Sequence, residues 1–161
     1  MSDAPRTVLV TGATGLVGRR LVSALLADRC TVRAATRTPA NARLPAGVEA
    51  VAWDGVMIPS ARIAGCEALV HLAGEPVFGG LLTKARRDRI YASRIDSTRA
   101  LVESIERLPA AERPAVLVCA SAVGYYGDRG DVRLDESAAP GSGFLADLCV
   151  AWEDEARAAV A

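Results

Sequence analysis

Residues 8–22 read VLVTGATGLVGRRLV, and this stretch decides the fold class. An apolar run suited to a β-strand meets Gly12, Gly15 and Gly18, and an amphipathic helix pattern follows. In such a turn the first glycine lets the chain leave the strand, the second admits backbone N–H groups to a pyrophosphate, and the third lets the helix pack closely. Phosphates bind there because free N–H groups and the helix dipole stabilise negative charge. The stretch predicts a dinucleotide site formed by Gly12, Thr14, Gly15, Leu16, Val17 and Gly18.

The end of the second predicted strand carries a basic residue where dinucleotide folds often carry an acid. That acid, about 20 residues beyond the glycine turn, binds a ribose 2′-OH. Here the strand ends at Thr36 and Arg37, and no Asp or Glu lies between Asp28 and Glu49. Arg37 can pair with a 2′-phosphate, with Thr36 as a hydroxyl donor and Arg33 as a second cation. The pattern favours NADP(H) over NAD(H), and the alternative is a solvated arginine in an arginine-rich chain.

Composition and charge narrow the class of protein. The chain has 161 residues, 51% of them hydrophobic, and no formal net charge, so we expect a single domain over 1–161. Balanced charge gives no reason to expect a nucleic acid or an anionic membrane as partner, and the basic cluster at 84–89 is typical of a solvated helix face. We find no apolar run of the roughly 20 residues that a membrane helix needs, and no leader-like segment in 1–7.

Cysteine and histidine residues are too scattered for a structural metal. Cys30, Cys66, Cys119 and Cys149 form no CxxC pair, and His71 is the only histidine. No zinc site can be assembled from them. With no leader predicted, this favours a cytoplasmic protein whose cysteines are reduced.

Strand and helix patterns alternate along the chain, as in a parallel sheet covered on both faces. We expect a doubly wound α/β domain, an NAD(P)-binding Rossmann fold, with strand order 3-2-1-4-5. The apolar stripe of the longest predicted helix should face the core, and a homodimer surface is the alternative; the exposed edge of the fifth strand is a second surface for self-association. Strands are predicted near 7–11, 31–36, 48–52, 67–72 and 115–120, helices near 15–28, 60–65, 83–107 and 143–160, and surface loops at 39–45 and 129–143.

Later motifs make a family resemblance specific. The chain resembles the extended short-chain dehydrogenase/reductase superfamily, of the NAD-dependent epimerase/dehydratase type, and within it the YfcH-like nucleoside-diphosphate-sugar-epimerase-like branch. The resemblance runs from residue 7 to about 157. The motifs that carry it, beside the glycine turn, are Trp53-Asp54, VHLAGEP at 70–76, SRIDST at 93–98, SAVGYYG at 121–127 and FLADLCVAWE at 144–153.

The resemblance implies further site residues. Asp54 resembles the acid that contacts the adenine amino group, and Ser121 resembles the serine that hydrogen-bonds a substrate oxygen. The turn beneath the nicotinamide ribose is matched by Leu72, Ala73 and Gly74. Each motif has a plainer interpretation: Asp54 forms a turn, Ser121 caps a loop, and His71 is a hydrogen-bonded residue at a strand end.

The expected catalytic pair is missing from the sequence. The superfamily uses a Tyr with a Lys four residues later on one helix, but Lys84 is the only lysine and lies on another predicted helix. Leu145 and Cys149 occupy the positions of the pair. Tyr125 or Tyr126 could replace the phenol, with Arg129 nearby, although arginine stays protonated. Ser121 lacks a G-x-S-x-G context, so hydrolase chemistry is not expected. The candidate catalytic residues are Ser121, Tyr125 and Tyr126.

Two functions remain after this comparison. Members of the resembled branch continue for nearly as many residues again, so the chain is either a fragment or a minimal cofactor module. The first hypothesis is the cofactor half of an NADP-dependent oxidoreductase or epimerase-like protein acting on an unidentified small molecule. The second is a non-catalytic NADP(H)-binding module that senses redox state or holds a partner.

Overall fold

The computed structural model describes residues 5–160, and at its centre is a five-stranded parallel sheet. Its strands are β1 (Thr7–Thr11), β2 (Thr31–Thr36), β3 (Val48–Ala52), β4 (Ala68–His71) and β5 (Val116–Cys119). Their order is β3-β2-β1-β4-β5, which confirms the predicted topology. The prediction that residues 1–7 hold no leader segment falls partly outside the described residues.

Residues 5–160 contain five α-helices. They are α1 (Leu16–Ala27), α2 (Ser60–Ile63), α3 (Lys84–Ala92), α4 (Ile95–Glu106) and α5 (Phe144–Arg157). Short 3₁₀ turns lie at Pro39–Asn41, within the predicted loop at 39–45, and at Val123–Tyr126, ahead of the predicted loop at 129–143. In the described part of the chain, no helix is long and apolar enough to cross a membrane.

The core forms on both faces of the sheet because the central strands are apolar on both sides. Successive side chains of a strand point to opposite faces. Accordingly, Leu9 belongs to a cluster with Leu69 of β4 and Leu101 of α4, whereas Val10 belongs to one with Val22 of α1. A third cluster joins α3, α4 and α5 through Ile90, Ile95, Leu148 and Trp152.

The prediction of a single helix over 83–107 is wrong, because the structure divides this segment at Ser93 and Arg94 into α3 and α4. Ile90 and Ile95 explain the break. On one continuous helix, residues five apart would point about 140° away from each other, yet both are fully buried in the same cluster. The apolar stripe thus belongs to the core of this chain, and dimerisation stays a prediction. The fifth strand lies at the sheet edge as predicted, with Val116 and Val118 each 48% exposed.

Candidate functional site

A cavity of about 590 Å³ opens where β1, β2, β3 and β4 end. We call this cavity the cleft. In a parallel sheet, all carboxyl ends meet at one edge, and ligands bind there. Eight of the predicted cofactor residues line the cleft: Gly12, Thr14, Gly15, Thr36, Arg37, Leu72, Ala73 and Gly74. The structure therefore brings together residues from three separate motifs.

Two glycines of the first motif are required by the backbone geometry. Gly12 has φ +69°, and a Cβ there would lie 2.8 Å from the Ala73 backbone nitrogen. A Cβ on Gly18 would overlap the Gly12 carbonyl oxygen, so Gly18 lets α1 begin directly against the turn. Leu16 and Val17 point their side chains outward, with 81% and 63% of their surface exposed. Neither residue lines the cleft, so the contacts of Leu16 and Val17 with a dinucleotide stay a prediction.

The start of α1 is suited to a negatively charged ligand. Gly15 precedes the helix with extended backbone and no side-chain cap, and the first turn carries no acidic residue. The first N–H groups of a helix have no acceptor within it. Arg19 also lines the cleft, and its Nε donates a hydrogen bond to the Thr14 carbonyl oxygen at 2.7 Å. The N-terminal end of α1 therefore presents positive charge to the cleft.

A second cationic region lies at the end of β2. Arg37 and Arg43 line the cleft with Asn41, and neither arginine forms an ion pair with any of residues 5–160. Arg43 and Asn41 were missed from the sequence, because an arginine in a loop of an arginine-rich chain gives no signal by itself.

The expectation that Arg33 is a second cation in the cleft is wrong. Its guanidinium donates to the carbonyl oxygens of Arg62 and Ala64 at 3.0 and 3.1 Å and pairs with Glu49 at 3.3 Å. Arg33 lies midway along β2, whereas the cleft lies beyond the carboxyl end of that strand. Its side chain therefore ties β2 to β3, to α2 and to the residue after α2.

Asp54 forms a turn. Its Oδ1 accepts hydrogen bonds from the backbone nitrogens of Val56 and Met57, both at 2.8 Å, and these bonds lower the pKa of its carboxyl group. Asp54 does not line the cleft, although its neighbours Trp53 and Gly55 do. The contact between Asp54 and an adenine ring stays a prediction.

The turn after β4 contacts a buried histidine. His71 is fully buried, and its pKa is lowered to about 4, first by burial and then by the charge of Arg94. Its Nδ1 lies 2.7 Å from Thr11 Oγ1, and its Nε2 lies 3.4 Å from Ser97 Oγ. His71 is thus a neutral, hydrogen-bonded residue at the end of a strand, and it does not line the cleft.

The candidate catalytic residues lie around a second cavity of about 500 Å³. Ser121 Oγ donates to Glu153 Oε1 at 2.6 Å, and Arg157 pairs with the same carboxylate at 2.7 Å. The rings of Tyr125 and Tyr126 meet edge to face at 5.2 Å. The structure brings the three candidates together, but the two cavities share no lining residue. Glu153 belongs to one of the motifs that carry the family resemblance, but its contact with Ser121 was not predicted from the sequence.

Apolar packing fills the two positions where a Tyr and a Lys were expected. Leu145 and Cys149 lie one turn apart on α5 and face Gly124 of the 3₁₀ turn. A Cβ added to Gly124 would lie 3.4 Å from Leu145 Cβ and 3.9 Å from Cys149 Sγ. Burial raises the pKa of the Cys149 thiol. Arg129 donates to the backbone carbonyls of residues 126, 139 and 140, so it holds its loop, and a role for it beside a phenol stays a prediction.

The described residues contain no group of three or more His, Cys, Asp or Glu side chains placed to hold a metal ion. This finding concerns residues 5–160 only.

Comparisons with known proteins agree with the fold. Residues 8–146 match the model of the NAD dependent epimerase/dehydratase family. An epimerase family protein SDR39U1 homolog, chloroplastic, from Arabidopsis thaliana is 38% identical over 96% of this chain and 45% of its own length. The chain spans about half the length of the curated relatives it matches.

Two solved structures superpose closely. Human epimerase family protein SDR39U1, isoform 2, solved with NADPH, gives a TM-score of 0.76 at 28% identity, covering 94% of this chain and 48% of that one. MoeE5, solved with UDP-glucose and NAD, gives 0.78 at 25% identity, covering 96% and 49%. One of these neighbours was solved with NADPH and the other with NAD.

Proposed function

The chain belongs to the NAD dependent epimerase/dehydratase family, and from this premise we propose that it is the NADP(H)-binding domain of an oxidoreductase or epimerase-like protein. The observation that carries the preference for NADP(H) over NAD(H) is the pair Arg37 and Arg43 beside Thr36 in the cleft. A 2′-phosphate bound between two guanidinium groups forms charge-assisted hydrogen bonds that a 2′-hydroxyl cannot replace.

The shape of the cleft supports a dinucleotide. Gly12 lets the turn lie directly against the backbone of Leu72 and Ala73, and Gly15 places no side chain at the start of α1. That helix start, together with Arg19, supplies donors for a pyrophosphate. With the adenosine end beside Arg37, the other end extends toward Gly74 and Ser93, which line the opposite part of the cleft. Glu75 is the single acidic side chain among the described residues that line it.

The proposed chemistry is non-standard because the expected Tyr and Lys positions hold Leu145 and Cys149. When bound, the nicotinamide supplies hydride transfer. Ser121, Tyr125 and Tyr126 are the groups of this chain that we propose to face a small-molecule substrate, with Ser121 oriented by Glu153. The packing of Leu145 and Cys149 also favours the second function, a non-catalytic NADP(H)-binding module that senses redox state or holds a partner.

Cofactor preference is tested by titrating NADPH and NADH into the wild-type chain and into Arg37→Glu. We expect NADPH to bind more tightly than NADH, and Arg37→Glu to narrow or reverse the difference. Loss of one charge-assisted phosphate contact should cost about 1.5–3 kcal/mol, roughly 10- to 150-fold in Kd. Arg133→Glu is the matched control, since Arg133 is exposed and lies outside the cleft. Equal affinity of the wild type for both dinucleotides would overturn the preference.

We also propose a cytoplasmic location, supported by four cysteines that are all free thiols in the structure. Neither a nucleic acid nor a membrane is proposed as a partner. A homodimer through the edge of β5 or the outer surfaces of α3 and α4 is proposed from the exposed strand edge. Sedimentation of the purified chain over a range of concentrations tests this last proposal.

A further inference from the structure

A chain of buried hydroxyl and imidazole groups lies beneath the cleft. Thr11 ends β1, His71 ends β4 and Ser97 lies in the first turn of α4, and all three are fully buried. These residues are 60 and 26 positions apart in sequence. We call the three side chains the polar relay. None of them lines either cavity, so the relay is no part of a ligand-contacting site.

The donors and acceptors of the polar relay are consistent along its whole length. Thr11 Oγ1 accepts from the backbone nitrogens of Leu72 and Ala73, both at 3.2 Å, so its own proton goes to His71 Nδ1 at 2.7 Å. His71 is then protonated on Nε2, which donates to Ser97 Oγ at 3.4 Å. Ser97 Oγ donates in turn to the Ser93 carbonyl oxygen at 2.7 Å. Each member is thus satisfied in one arrangement of protons.

The polar relay holds the segment that forms one end of the cleft. The Ala73 nitrogen has Thr11 Oγ1 as its partner, whereas the Leu72 nitrogen has a second acceptor in the Thr11 carbonyl oxygen at 3.3 Å. The same segment lies against Gly12, where a Cβ would be only 2.8 Å from the Ala73 nitrogen. A small displacement of residues 72–74 away from Gly12 would therefore change the far end of the cleft.

We propose that Thr11, His71 and Ser97 are positioning residues that hold the turn at 72–74 in the shape required by the nicotinamide half of the dinucleotide. This inference rests on the proposed function. Arg37 and Arg43, proposed for the 2′-phosphate, make no hydrogen bond to the relay. Loss of the relay should therefore weaken binding of the nicotinamide half and leave the adenosine half unchanged.

Thr11 offers a matched pair of variants for the test. Thr11→Val keeps the branched shape but removes the hydroxyl, leaving the Ala73 nitrogen and His71 Nδ1 without partners, whereas Thr11→Ser keeps the hydroxyl. His71 is a poorer site for this test because its ring also packs against Trp53, 6.1 Å between centroids, and Trp53 lines the cleft.

The experiment measures Kd for NADPH and for 2′,5′-ADP, which carries only the adenosine half. Thr11→Val should raise the Kd for NADPH about tenfold and the Kd for 2′,5′-ADP less than about twofold. The reason is that a buried donor and a buried acceptor lose their partners at only one end of the cleft. Thr11→Ser should restore wild-type affinity for both probes. General damage to the fold would weaken both probes together, so the two effects are separable.

Several outcomes would overturn the inference. NADPH binding by Thr11→Val with wild-type affinity would do so, as would an equal loss of both probes. If Thr11→Val does not fold, Ser97→Ala is used in its place. Ser97→Ala removes the acceptor of His71 Nε2, so it should raise the Kd for NADPH alone by about threefold. Wild-type affinity for NADPH in that variant would equally overturn the inference. Failure of the wild type to bind either probe would overturn the proposed function itself.

Discussion

Acidification should destabilise the fold through His71, the only histidine of the chain. Burial, followed by the charge of Arg94, lowers its pKa from 6.5 to about 4 in the folded chain. Between these values the unfolded chain binds a proton that the folded chain excludes, so stability increases with pH in this window and is lost as pH falls below 6.5. From about pH 7.5 to about pH 5, the free energy of unfolding should fall by about 2 kcal/mol.

Urea unfolding followed by tryptophan fluorescence measures this change, since Trp53 and Trp152 are both buried. The control is His71→Asn, which removes the titrating ring while the carboxylates of the chain titrate as before. Between about pH 7.5 and about pH 5, the free energy of unfolding of the wild type should fall by about 2 kcal/mol more than that of the variant. If the two proteins lose the same free energy, His71 is not the group that couples folding to pH, and the conclusion that it is neutral and buried is refuted.

Two further substitutions test the glycine turn and the second cavity. Gly15→Val should abolish dinucleotide binding and keep the fold, because the φ of Gly15 is −73° and suits any residue, while the branched side chain would fill the space proposed for the phosphates. If the variant binds NADPH with native affinity, the glycine loop is an ordinary turn and not a phosphate site. Leu145→Tyr with Cys149→Lys should restore at best trace NADPH oxidation against nucleotide sugars and small carbonyl compounds, because no substrate-binding residues are rebuilt. Robust turnover by the unaltered chain that survives loss of Ser121, Tyr125 and Tyr126 would contradict the proposed site.

The sequence by itself determined the sheet and the first part of the site. The apolar strands and the glycine spacing are signals between near neighbours in the chain, so all five strands and their order could be predicted. Gly12 and Arg37 were placed for the same reason, since each directly follows the end of a strand, and Gly15 was placed by its spacing from Gly12. The alternation of strands and helices predicts a parallel sheet, and the Rossmann fold indicated by the glycine turn places β1 at the centre and β5 at an edge.

Only the tertiary structure decided which polar groups meet. Arg33 and Arg43 look alike in sequence, but Arg33 is bound by carbonyl oxygens of residues 62 and 64 while Arg43 lines the cleft. The break between α3 and α4 depends on packing against α5, and the contact between Ser121 and Glu153 joins residues 32 positions apart. These hydrogen-bonding and packing partners come together because whole helices and strands pack closely against one another. The identity of a side chain's partner on another element leaves no pattern in the sequence around that side chain.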